Sequence, residues 1–131
     1  MQKEWNDVLA FQRCFGHPYA RSPEMISPDR AKVRADWMLE EVNEFLAADE
    51  IVEQADAMID LMYFALGTLV EMGVKPDALW QIVQDANMAK LWSDGEPHYR
   101  ADGKTIKPPE WQDPHDKLKA EIERQIKEAQ S

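Results

Sequence analysis

Six of the acids within residues 34–69, a stretch otherwise rich in apolar residues, are candidates for one shared site. These acids are Glu40, Glu41, Glu44, Glu53, Asp56 and Asp60. Carboxylate oxygens gathered at one place bind hard divalent cations such as Mg²⁺, Mn²⁺ or Ca²⁺ rather than zinc. The chain carries 25 acids in 131 residues, so any one of these acids could instead belong to a solvated helix face. Convergence of several of them would predict a metal site.

The spacing of the acids places them on single faces of two helices. Residues three, four and seven positions apart share one face of an α-helix. Glu53, Asp56 and Asp60 stand at these offsets. Glu41 and Glu44 are three positions apart on the preceding stretch. Each of the two stretches is therefore predicted to be a helix with an acidic face.

A short turn at residues 49–50 separates the two predicted helices and folds them into an antiparallel hairpin. Residues at equal distances from such a turn lie side by side. Glu44 is then roughly level with Ala55, and Glu41 with Met58. We therefore predict that the two acidic faces meet, so that the carboxylates repel one another, shift each other's pKa values and favour a bound divalent cation.

The remaining sequence predicts further helices and one long loop, with no series of strands. Ser27 before Pro28 and Asp29 is typical of a helix start, and Gly73 is typical of a helix C-terminal cap. The segment at about 93–113 is rich in turn residues and is of the length usually kept for function. The predicted helices span about 4–15, 28–48, 51–72, 76–92 and 114–130.

These elements predict an all-α fold with a four-helix arrangement. A chain of 131 residues is predicted to be one domain. Within it we expect a core over about 1–92, a loop over about 93–113 and a tail helix over about 114–130.

The composition excludes several classes of protein. Hydrophobic residues make up 44% of the chain, enough to bury a core. The net charge of −10 argues against a protein that coats nucleic acid. No apolar run approaches the roughly 18 residues of a membrane span, and the N-terminus is too polar for a signal peptide. Cys14 is the single cysteine, which excludes an internal disulfide and fits a cytoplasmic setting.

Several segments together resemble one enzyme superfamily. "EEVNE" followed by "EQAD" resembles the EExxE…ExxD signature of the MazG-like all-α nucleoside triphosphate pyrophosphohydrolases, a superfamily that includes dimeric dUTPases and phosphoribosyl-ATP pyrophosphohydrolases. "DLMYFALGTLVEMGV", "ANMAKL" and "DGEPHYRADGKTIKPPEW" resemble segments of a MazG-like branch. The resemblance spans about residues 11–116. It implies a four-helix MazG-like bundle with a long C-terminal loop and tail helix, completed in a homodimer or homotetramer.

The resemblance also implies a reaction. Members of the superfamily use Mg²⁺, for which Mn²⁺ can substitute, to hydrolyse a nucleoside triphosphate between the α and β phosphates. Glu41 and Glu44 match the EExxE metal ligands, and Glu53 and Asp56 match the ExxD ligands. Glu40 is the candidate for orienting or deprotonating the attacking water, which makes Glu40, Glu41 and Glu44 the expected catalytic acids.

The acidic signature departs from the family pattern in one respect. Only eight residues separate Glu44 from Glu53, fewer than is usual. An alternative alignment matches Asp60 to the final aspartate but then leaves Ala57 where a glutamate belongs. We therefore prefer Glu53 and Asp56 as ligands, with Asp60 as an additional ligand or a neighbour of the ligands.

Polar and basic residues after the hairpin are candidates for binding substrate. Asn87 and Lys90 are three positions apart at the end of the fourth helix, where Lys90 could reach a phosphate and Asn87 a sugar or base edge. Arg100, Lys104 and Lys107 form a basic cluster in the long loop, and basic side chains beside a triphosphate would screen its charge. Without the resemblance, all five could be ordinary surface residues.

Three functions follow from the sequence. The first is Mg²⁺-dependent conversion of a deoxynucleoside or other nucleoside triphosphate to monophosphate and pyrophosphate, serving to clean the nucleotide pool. The second is hydrolysis of phosphoribosyl-ATP, which the "ANMAKL" and "DGK" segments disfavour. The third is a non-catalytic helical module that binds a metal or a partner. The sequence specifies no preferred base.

Overall fold

The structure, a computed structural model, describes residues 1–131 as a mostly helical chain. Its elements are α1 (Gln2–Cys14), α2 (Pro28–Ala47), α3 (Ile51–Met72), α4 (Asp77–Met88), β1 (His98–Tyr99), β2 (Thr105–Ile106) and α5 (His115–Ala129). The chain divides into two compact units, the first made of Met1–Pro76 with Gln125–Ser131 and the second of Asp77–Arg124. The predicted all-α class is confirmed, whereas the single domain stays a prediction.

The ends of α2 and α3 follow the predicted capping signals. The Ser27 hydroxyl accepts a hydrogen bond from the Arg30 backbone N–H at 3.3 Å and so caps the start of α2. Gly73 ends α3 with φ +71°, a left-handed conformation that costs glycine little. A Cβ added at Gly73 would also stand 2.5 Å from the Ser22 carbonyl oxygen, so the position has no room for a side chain.

The prediction that α4 continues to about Trp92 is wrong. The helix ends at Met88, because the backbone N–H groups of Lys90 and Leu91 bond to carbonyls only three residues back and tighten the last turn. Within the loop, β1 and β2 pair antiparallel with His98 opposite Ile106. Strands of two residues are too short to leave a periodic signal in the sequence.

The core of the first unit joins α1 to α3. Trp5 and Val8 from α1 pack with Leu66 and Val70 from α3, and all four side chains are buried. Leu9 and Leu69 pack against this cluster. Full burial of such a side chain contributes about 1.5–3 kcal/mol, so this contact fixes α3 against α1.

A buried polar network joins all three helices of the first unit. The Arg30 guanidinium donates to Glu71 Oε1 at 2.7 and 2.9 Å. Arg34 donates to Gln12 Oε1 at 3.0 Å, and Gln12 in turn donates to the Pro18 carbonyl at 2.6 Å. Arg34 Nε also lies 3.5 Å from Glu71 Oε2, close enough for an ion pair but without a hydrogen bond. Removing one partner of a buried ion pair costs about 3–5 kcal/mol, so the network resists sliding of the helices.

The network passes over Gly67 of α3. A Cβ added at Gly67 would stand 2.6 Å from Gln12 Oε1 and 2.7 Å from Arg34 Nη1. Next to this contact the Trp37 and Phe64 rings pack with centroids 5.6 Å apart. Burial lowers the pKa of the Arg34 guanidinium, and the nearby Glu71 carboxylate opposes this shift. A side chain at position 67 would therefore displace the ends of the Gln12 and Arg34 side chains, which are hydrogen-bonded to each other.

No single helix is both long enough and apolar enough to cross a membrane, although α3 and α4 taken as a broken pair reach the necessary length and composition.

Replacing Gly67 by alanine should lower the free energy of unfolding by about 1–3 kcal/mol, the usual cost of disrupting a buried hydrogen-bonded group. At an open helix position the same change stabilises a protein by about 1 kcal/mol, so the two expectations differ in sign. Urea denaturation measures the difference. Ala65→Gly, at an exposed position of the same helix, calibrates helix propensity. A stabilised Gly67→Ala protein would contradict the close packing described here.

Candidate acidic active site

The α2–α3 hairpin brings the two acidic faces together. Trp37 lies opposite Phe64 and Arg30 opposite Glu71, and continuing this register places Glu41 level with Asp60. The predicted register, which set Glu41 level with Met58, is therefore wrong by two residues. The turn is centred one residue later than predicted, because the Glu50 backbone already accepts the first hydrogen bonds of α3.

Glu41 is the most buried of the six candidate acids. Its side chain is buried, with a relative exposure of 8%, and its Oε2 atom has no hydrogen-bond partner. Burial raises the pKa of Glu41 to about 7, and the hydrogen-bonded Glu44 and the charges of Asp60 and Asp56 act in the same direction. Burial also raises the pKa of Asp60, helped by the charges of Asp56 and Glu44. The charges of Glu44 and Asp56 thus act on both Glu41 and Asp60.

A small cleft opens beside these acids at the turn end of the hairpin. Glu44, Glu53 and Asp56 line it together with Ala47 and Ala48, and its volume is about 290 Å³. Glu53 therefore lines the same cleft as Glu44 and Asp56, two members of the acidic cluster.

Two of the predicted acids differ from the other four in their surroundings. Glu53 Oε2 accepts a hydrogen bond from the Asp49 backbone N–H at 3.3 Å, so one of its oxygens helps to close the turn. Glu40 is exposed and is not among the charges that raise the Glu41 pKa. Asp60, which the sequence leaves as an additional ligand, is by contrast part of the cluster around Glu41.

The donor set suits a hard divalent cation. Every polar side-chain atom of the cluster is a carboxylate oxygen, the ligand type that Mg²⁺ and Mn²⁺ prefer. No group of three or more histidine, cysteine, aspartate or glutamate side chains is already arranged around one metal position. Repulsion between like charges keeps carboxylates apart.

The five residues predicted to bind substrate all lie in the second unit. Asn87 is exposed in the last turn of α4. Arg100 donates to Asp102 Oδ2 at 2.7 Å, so a neighbouring acid offsets part of its charge. Lys104 is exposed in the turn between β1 and β2. Lys90 and Lys107 both lie over one aromatic ring, that of Trp111.

Sequence reasoning missed Trp111. The Lys90 and Lys107 ammonium nitrogens lie 5.7 and 4.5 Å from the centroid of its ring. Its indole N–H donates to the Ala86 carbonyl in α4 at 2.7 Å. The signal that could have found it is "KPPEW", in which two prolines form a stiff link between a lysine and an aromatic residue of a loop.

The base of the same loop is fixed by a second tryptophan. The Trp92 ring stacks on His98 with centroids 4.1 Å apart and an angle of 5° between the planes. The Trp92 indole donates to the Ile106 carbonyl at 3.0 Å, and His98 Nε2 lies 3.1 Å from Asp94 Oδ2. Trp92 thus contacts both β1 and β2.

Comparison with known proteins identifies the family. A family model described as phosphoribosyl-ATP pyrophosphohydrolase matches residues 8–87, more than half of the chain. The chain is also similar to a crystal structure of a protein from Exiguobacterium sp. 255-15 that is assigned as an NTP pyrophosphohydrolase. That similarity has a TM-score of 0.55 and 34% sequence identity, and it covers 95% of this chain and 96% of the other. No curated protein matches the chain significantly.

The matched residues 8–87 contain the whole α2–α3 hairpin and all six candidate acids. The all-α architecture, the paired acidic faces and both similarities agree. This chain belongs to the phosphoribosyl-ATP pyrophosphohydrolase family, within the MazG-like group of all-α pyrophosphohydrolases.

Proposed function

We propose that this protein hydrolyses a nucleoside triphosphate, with deoxynucleotides among its substrates, between the α and β phosphates. Its products are the nucleoside monophosphate and pyrophosphate. Its cofactor is Mg²⁺, which Mn²⁺ can replace because both prefer oxygen ligands. Its role is to remove unwanted nucleotides from the cellular pool.

The observation that carries this proposal is the environment of Glu41. A buried carboxylate with a partnerless oxygen and a pKa raised to about 7 is unfavourable for folding. Three more acids around it, Glu44, Asp56 and Asp60, increase that cost. Such groups concentrate at functional sites, where a ligand neutralises them. A cation that also binds a polyphosphate would do so here.

Each of the six candidate acids then has a role. The metal ligands are Glu41, Glu44, Glu53 and Asp56, with Asp60 as an additional ligand. A Mg²⁺ ion bound there would neutralise phosphate charge and lower the pKa of the attacking water. Glu40, whose exposed carboxylate lies outside the cluster, is the candidate for orienting that water or accepting its proton.

The substrate-binding residues are proposed from the second unit. Lys90, Lys104 and Lys107 have no carboxylate partner in the structure, in contrast to Lys3 and Lys32, which pair with acids four residues away. Lysines without a partner attract phosphate oxygens. Arg100 could join them only by giving up part of its contact with Asp102, and Asn87 would contact the sugar or base.

Phosphoribosyl-ATP is the second candidate substrate, because the matching family model carries that name. The similarity over 95% of the chain to a protein assigned as an NTP pyrophosphohydrolase favours a nucleoside triphosphate instead. Hydrolysis of phosphoribosyl-ATP would release phosphoribosyl-AMP and pyrophosphate. Including both substrates in one assay separates the two candidates.

Apolar side chains on the outside of the hairpin support a homodimer or homotetramer. Leu46 and Ile51 are 74% and 84% exposed, and Leu39 and Ile59 are each more than half exposed. Contiguous exposed apolar surface is typical of an interface, and a second copy of this chain would cover it. Light scattering tests the proposal: the wild type should be an oligomer that Leu46→Glu weakens. A wild-type monomer would contradict it.

Incubation with a panel of nucleotides and Mg²⁺ should yield monophosphate and pyrophosphate, identified by phosphorus NMR. Asp56→Asn should lower kcat about 10²–10³-fold, the usual cost of deleting one group that stabilises charge in the transition state. Glu24→Gln, at an exposed position before α2, is the matched control and should leave turnover unchanged. Release of orthophosphate and a diphosphate would point to cleavage at the γ-phosphate. No turnover by a folded, metal-loaded protein would favour the non-catalytic module.

The metal-free protein should lose stability as the pH rises from about 4.5 to about 7. The Glu41 pKa rises from 4.5 to about 7 on folding, so the folded state binds more protons than the unfolded state within this window. Its destabilising effect is absent below the window and complete above it. Thermal melts in EDTA should therefore show Glu41→Gln melting above the wild type at pH 8, with little difference at pH 4.

Glu40→Gln is the matched control for this experiment, because Glu40 neighbours Glu41 in sequence but does not act on its pKa. It should keep the wild-type pH dependence. If Glu41→Gln melted below the wild type at pH 8, the Glu41 carboxylate would have a stabilising structural partner.

A further inference from the structure

We propose that Trp111 is a positioning residue that holds the ammonium groups of Lys90 and Lys107 together as a receptor for the pyrophosphate portion of the substrate. Both ammonium nitrogens lie over the same indole ring, at 5.7 and 4.5 Å from its centroid. The negative face of an indole attracts a cation by about 0.5–1 kcal/mol at an exposed site. One ring thereby gathers two like charges from separate parts of the chain. This inference rests on the proposed function.

The position of the Trp111 ring is fixed by the end of α4. Its indole N–H donates to the Ala86 carbonyl at 2.7 Å. In a continuing helix that carbonyl would accept the Lys90 backbone N–H, which instead bonds to Asn87. The indole therefore occupies a carbonyl that the helix end leaves available, and it does so four residues before Lys90. This brings the ring to the Lys90 side chain.

Lys107 reaches the same ring by a rigid connection. The Trp111 backbone N–H donates to the Pro108 carbonyl at 3.0 Å, which closes a turn over the two prolines. Pro108 itself is buried. Because proline fixes its own φ and restricts the residue before it, the turn directs Lys107 back over the indole. The ring, the turn and α4 thus form one preorganised element.

The two lysines are not paired with acids of their own unit, although that unit contains more acids than bases. Neither lysine forms an ion pair, although the chain carries ten more acids than bases. Asp85, Glu110 and Asp113 line a cleft beside Trp111, yet neither lysine lines that cleft. Two cations held together without an acid repel each other and favour a multivalent anion between them. A pyrophosphate group, with several charged oxygens a few bonds apart, matches that requirement.

Trp111→Leu should raise KM about tenfold while kcat changes less than about twofold, because the two lysines lose the ring that holds them in place and this weakens binding equally in the ground and transition states. Trp111→Phe keeps a ring and should raise KM less. In a Lys90→Ala/Lys107→Ala background, Trp111→Leu should have no further effect on KM. Trp80→Leu, at an exposed position of α4, is the matched control and should leave KM unchanged.

A second measurement needs no turnover. In proton–carbon NMR spectra, ring currents should shift the terminal methylene signals of Lys90 and Lys107 upfield in the wild type and not in Trp111→Leu. Inorganic pyrophosphate, titrated in EDTA, should move these signals at about tenfold lower concentration in the wild type than in the variant. If the wild type hydrolysed no nucleotide, the proposed function would fail and this titration would still decide the role of Trp111. Equal titrations, or a KM effect that persists without the two lysines, would overturn the proposal.

Discussion

The ion pairs of Glu71 with Arg30 and Arg34 set the register between α2 and α3, and the acidic site depends on that register. A carboxylate with 7% exposure is costly to bury without a cation beside it, so Glu71 holds both arginines on its own side of the hairpin. Since side chains repeat every turn, fixing one end of an antiparallel pair fixes the other. The pairing of Glu41 with Asp60 across the hairpin is therefore fixed by ion pairs that lie several helical turns away.

Two buried acids of the first unit thus have opposite surroundings. Glu71 is neutralised by two arginines, whereas Glu41, with similar exposure, is surrounded by further acids. The hydrophobic cluster of α1 and α3 and the arginine network must together offset the unfavourable energy of the acidic cluster. One part of the hairpin thus stabilises the fold while the acidic cluster destabilises it. This is typical of proteins whose activity requires groups that oppose folding.

The sequence could predict what depends on local chemistry and periodicity. Capping at Ser27 and Gly73, the helical spacing of the acids and the all-α class all follow from near neighbours in the chain. The register of the hairpin was harder to predict. If the turn is centred one residue later, every residue of α2 faces a partner in α3 that is two positions further along. The contacts of Trp111 depend on residues 25 positions apart in sequence. The lysines were found through family resemblance, and that resemblance does not reveal the ring between them.

The tight contact at Gly67 also constrains how the sequence can drift. Gln12, Arg34 and Gly67 belong to three different helices. The ends of the Gln12 and Arg34 side chains nevertheless meet directly above Gly67. A larger residue at position 67 is acceptable only if position 12 or 34 becomes shorter, and a shorter residue there leaves a cavity unless position 67 fills it. Substitutions at these three positions are therefore epistatic. Among homologues they should change together, and a library that varies them singly would wrongly class each one as immutable.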